Sequence, residues 1–145
     1  MKTTLYWFSG TGNSLWAARH LAARLGETTL LPVAGMRTAP LPPSERVGIV
    51  FPVLAFGPPN IIMEFCAKAD LPPSAYLFTL CTMGGLAGAP HGRLRRILRA
   101  RGLDPAAGWS LTMPGNCITL YPPPKESRQR RLFERAARKI ERIAE

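Results

Sequence analysis

The stretch Val47-Gly48-Ile49-Val50-Phe51 has no polar position. A strand with one wet face alternates polar and apolar residues, so an unbroken apolar run implies a parallel sheet covered on both faces. Parallel strands need long crossover connections, and helices are the usual solution. The rest of the chain supplies both parts. Thr3–Phe8 reads as a first strand ended by a glycine turn, and Thr28–Leu31 as a second. Tyr76–Cys81 and Trp109–Met113 read as a fourth and a fifth.

Between these runs the period changes to that of a helix. Leu15, Ala18, Ala22 and Leu25 share one face, with Gly26 as a stop. Ile61, Ile62, Phe65 and Ala69 form a second face, closed by Leu71-Pro72-Pro73, and Leu94, Ile97 and Leu98 a third that ends at Gly102. A final amphipathic helix carries Leu132, Phe133, Ala136, Ile140 and Ile143. Strands alternating with helices at this spacing predict βαβ units and one domain over residues 1–145. The expected architecture is a doubly wound α/β sandwich with a five-stranded parallel sheet, order 2-1-3-4-5. Ligands of such sheets bind beyond the carboxyl ends of the strands, where the loops after strands one, three and four converge.

The loop after the first strand is the richest in chemistry: Ser9-Gly10-Thr11-Gly12-Asn13-Ser14. Placed between a strand and a helix N-terminus, it can surround an anion with backbone N–H groups, helped by the helix dipole. Gly10 and Gly12 permit close backbone approach, while Ser9, Thr11, Asn13 and Ser14 add neutral donors. An ordinary capped turn needs fewer. Three other phosphate motifs fail on residue identity. A Walker loop needs lysine where Asn13 stands, a dinucleotide fingerprint needs glycine at Leu15, and a Cys-x5-Arg loop from Cys81 meets Ala87.

With these residues in view, the motif resembles the flavin mononucleotide (FMN) phosphate loop of the flavodoxins. The longer phrase Phe8–Leu15, followed in order by Gly48–Val53, Thr82-Met83-Gly84-Gly85 and Met113-Pro114-Gly115-Asn116, is similar to a narrower group, flavodoxin-like domains fused to a two-cluster ferredoxin domain. The cysteine-rich half of that group has no counterpart here. The resemblance implies a flavodoxin-like fold and a non-covalent FMN serving electron transfer. The ring would lie between a wall from Pro52, Val53, Leu54, Phe56 and Gly57 and another from Thr82, Met83, Gly84 and Gly85. Leu54 and Met83 stand where the group often has aromatics. Two alternatives are an NAD(P)H:quinone-type flavin reductase on the same fold and a basic binding module with a decayed flavin site.

Cysteines and charge bound the setting. Cys66, Cys81 and Cys117 form no close pair, so no disulfide framework or Cys-x-x-Cys metal motif is expected, and they read as small buried hydrophobes. No apolar run approaches the ~20 residues of a membrane span. The opening apolar run is too short for a signal-peptide core, and a cytoplasmic location is expected. Trp7 and Trp16 read as packing residues, and His20 and His91 as helix-surface ones.

The net charge of +10 is unevenly placed: residues 1–92 carry +2 and residues 93–145 carry +8. Glu134 and Glu141 are spaced to pair with Arg138. An acidic redox partner, such as a ferredoxin-type protein or domain, fits the basic half better than nucleic acid, for which no motif is present. The last helix has no glycine or proline stop before Glu145, which predicts a downstream segment, present or lost.

Overall fold

The computed structural model describes residues 1–36, 40–85, 88–115 and 124–145. Asn116 and Cys117 lie outside them. Five strands, β1 (Thr3–Trp7), β2 (Thr28–Pro32), β3 (Arg46–Pro52), β4 (Tyr76–Met83) and β5 (Ala107–Thr112), form one parallel sheet in the order β2-β1-β3-β4-β5. The expected order is the observed one. Four helices cross between and beyond them: α1 (Asn13–Leu25), α2 (Asn60–Lys68), α3 (Pro90–Arg99) and α4 (Glu126–Ala144).

The sheet separates two cores. On one face α1 and α4 pack together over Leu5, Val50, Phe78, Leu80 and Leu111. On the other, α2 and α3 cover Tyr6, Ile49, Phe51 and Cys81. Neighbouring residues of β3 and β4 thus point into different cores, and both need to be apolar. Gly48 is part of this packing. A Cβ there would stand 2.5 Å from the Phe78 ring and 2.6 Å from a Leu5 methyl.

Cys66 and Cys81 are buried, as expected. Trp7 and Trp16 are partly buried against the α1–α4 core. β5 begins two residues before the expected Trp109, because Ala107 and Gly108 already pair with Phe78 and Thr79. Glu141 reaches across to Arg24 of α1 at 2.6 Å, so this ion pair joins two helices rather than lying along one. Among the described residues, no helix is long and apolar enough to cross a membrane.

Candidate functional site

The loops after β1, β3, β4 and β5 meet at the carboxyl end of the sheet. Phe8 N–H continues the pairing of β1 with a 3.0 Å bond to the Val50 carbonyl. The chain then folds back so that Gly12 N–H donates to Ser9 Oγ at 3.0 Å. Gly12, at φ +102°, is the N-cap of α1, a backbone setting that a Cβ would strain. The N-cap glycine offers no side-chain cap, and the first turn of the helix holds no acidic residue. Gly10, Thr11 and Gly12 are exposed, and open space surrounds the Cβ positions of both glycines. The positive end of α1 therefore faces outward through a loop of small residues.

Two of the expected donors are turned sideways. Ser14 is buried, its Oγ 2.9 Å from Thr82 Oγ1, and Asn13 Nδ2 donates to the Pro114 carbonyl at 3.2 Å. Val53 N–H donates to the Thr82 carbonyl at 2.9 Å, and Met113 N–H to the Met83 carbonyl at 2.8 Å. These bonds lace the loops together. Ser14, Asn13 and Thr82 are thereby struts of the site as well as candidates to line it.

The loop after β3 closes on itself. Leu54 and Gly57 exchange backbone hydrogen bonds of 2.8 and 3.0 Å around a tight turn, in which Ala55 and Phe56 both take positive φ, 48° and 63°. Non-glycine residues pay strain for that geometry. The turn holds Leu54 and Phe56 out, 53% and 64% exposed. Gly57 is buried against the Arg93 guanidinium, and Gly88 abuts the Phe56 carbonyl. Met83 is half-buried, while Gly84 and Gly85 are exposed. Pro52 and Val53, half-buried, complete the set at the root of the loop.

His91 corrects its expected place on the helix surface. Its ring lies over β4 and β5, with Nδ1 2.7 Å from Thr79 Oγ1 and Nε2 3.0 Å from Ser110 Oγ. Cys81 donates its thiol proton to the same Ser110 oxygen at 3.2 Å. Gly108 makes the room: a Cβ there would come within 2.9 Å of the imidazole. Burial lowers the His91 pKa against an opposing backbone contact at Trp109, and burial raises that of Cys81 despite its Ser110 bond. A neutral imidazole beside a protonated, buried thiol is a structural knot, since nucleophilic chemistry needs an accessible thiolate. Sequence pattern had no means to find it, because the cradle comes from two other strands.

Neither a family model nor a curated protein matches the sequence. Solved structures do. A flavodoxin from the domain Archaea aligns over 99% of this chain and 99% of its own, at 13% identity and a TM-score of 0.63. The five-stranded order and the two helical layers agree with that likeness. This is the flavodoxin fold. A flavoprotein from Lactobacillus acidophilus NCFM, crystallised in complex with FMN, aligns over 75% of this chain and 92% of its own, with 13% identity and a TM-score of 0.61. An azoreductase from Bacillus anthracis str. Sterne aligns over 99% of both chains, with 9% identity and a TM-score of 0.63.

In the flavodoxin fold the crevice at the carboxyl ends is the expected ligand site. The residues present suit a ligand with an anionic end and a flat apolar body. The uncapped α1 terminus offers amides to an anion, and the exposed Leu54 and Phe56 offer apolar surface that water leaves unsatisfied.

Proposed function

We propose that this protein binds FMN non-covalently and acts as an electron carrier. The observation that carries the reading is the open N-terminus of α1, uncapped and without an acidic first turn, in the same laced rim as an exposed apolar turn. Ser9, Gly10, Thr11, Gly12 and Asn13 would hold the phosphate. Leu54, Phe56 and Met83 would supply apolar contact to the ring, and the backbones of Gly57, Gly84 and Gly85 would serve its polar edge. When bound, FMN supplies one- and two-electron redox chemistry. The protein's own work is to orient the ring, exclude water from one side and set the charge around it. Arg93, packed on Gly57, brings a cation to the apolar wall.

The later motifs support a relationship to the ferredoxin-fused flavodoxin-like proteins. The basic C-terminal half supports an acidic, ferredoxin-type protein or domain as the redox partner. A cytoplasmic setting suits the two buried free thiols. The test is direct. Protein stripped of bound small molecules should quench FMN fluorescence at one equivalent and turn yellow, and chromatography of the untreated protein should release FMN. A colourless protein that leaves added FMN fluorescence unchanged overturns the reading. Sustained NAD(P)H oxidation with a quinone would move the assignment to a reductase.

A further inference from the structure

Among the described residues β5 is an edge strand, with β4 on one side only. Met113 N–H turns inward to Met83, so backbone alternation turns the polar groups of Ser110 and Thr112 outward. Among the described residues no strand pairs with their outer edge, which borders a groove of about 310 Å³ walled by α4. From that helix Arg135, Arg138, Lys139 and Arg142 reach the groove. Lys139 Nζ already donates to the Ser110 carbonyl at 2.8 Å, which shows the edge accepting a donor from the groove side. Among the described residues, no carboxylate lies within ion-pair distance of Arg135, Arg138 or Arg142.

We propose that this groove docks an extended acidic segment of a partner protein, with carboxylates at alternate positions meeting Arg135, Arg138 and Arg142 while its backbone runs along the β5 edge. The spacing suits an extended chain. Arg135, Arg138 and Arg142 are separated by rises of about 4.5 and 6 Å along the helix. Alternate side chains of a strand are about 6.7 Å apart, within the reach of a flexible arginine. Charge selects the occupant: a second copy of this chain would bring another +10. Nucleic acid fits less well, because among the described residues no aromatic ring lines the groove for base stacking. This site is independent of the flavin reading, since it uses neither the α1 terminus nor the exposed turn.

The probe is a fluorescein-labelled peptide of about eight residues, alternating Glu and Val, long enough to span β5. Anisotropy at low salt should show saturable binding, and the same peptide with Gln for Glu should bind at least about tenfold more weakly. Combining Arg135→Glu with Arg142→Glu should weaken the Glu peptide by at least about tenfold. Arg19→Glu with Arg96→Glu, an equal charge change on exposed residues outside the groove, should weaken it less than about threefold. Peptide binding should also slow hydrogen exchange at the Ser110 and Thr112 amides. The proposal is overturned by equal losses in the two double variants, by unchanged exchange at β5, or by a thymidine oligonucleotide that binds more tightly than the peptide.

Discussion

Thr11, in the loop before α1, and Ser14, in the first turn of α1, sit three residues apart and do different work. Ser14 is buried against Thr82, and Thr11 is exposed where an anion would approach. An added carboxylate at Thr11 would repel a phosphate without entering the core. Thr11→Asp should therefore weaken FMN binding by about a hundredfold or more, about 3 kcal/mol, while far-UV circular dichroism stays unchanged. Affinity within a factor of about three of the parent would contradict the phosphate assignment.

His91 makes a prediction about acid. Its folded-state pKa lies below the ordinary imidazole value of about 6.5, because burial disfavours the cation. The unfolded chain is thus protonated first as pH falls. Its stabilising neutral state is fully retained above pH about 6.5 and is lost progressively as pH drops toward the folded-state pKa. Urea midpoints should be lower at pH about 5 than at about 7.5, and His91→Gln should show a smaller difference between the two. An unchanged pH difference in the variant would assign the acid sensitivity elsewhere.

At the level of elements, the strands and helices were legible because their signals are local. The apolar run of β3 names a covered parallel strand, and Gly26 marks the end of α1 where its φ of +84° requires it. The phosphate-loop candidates were legible for the same reason. What stayed hidden depends on register between strands distant in sequence. His91 needs Gly108 and Ser110 of β5 beside Thr79 of β4, and Ser14 needs Thr82 above it. A sequence read one window at a time places each of these on its own element and misses the partner. Gly48 belongs to the same class. Gly48→Ala should cost at least about 2 kcal/mol by urea denaturation, because its methyl meets packed Phe78 and Leu5 side chains. A loss under about 0.5 kcal/mol would mean that these neighbours yield freely.

For the whole molecule, net charge bears directly on how the proposed flavin would be tuned. An acidic surface penalises the extra negative charge of a fully reduced flavin; this chain carries +10, with Arg93 packed against the candidate wall. The more negative of the two one-electron potentials should lie above that of an acidic flavodoxin measured in the same buffer, and the gap should narrow as salt screens the field. Redox-dye titration at low and high ionic strength reads both. Equal potentials at low salt would remove charge as the tuning device.

Thr82 holds two sides of the rim at once, its hydroxyl against Ser14 and its carbonyl against Val53. The anion-facing loop and the apolar turn are thereby kept at a set separation, as the jaws of a caliper are. On the proposed FMN reading, a ligand would be gauged for the length between its charged and flat ends, and one with the right groups on too short or too long a tether would meet only one jaw.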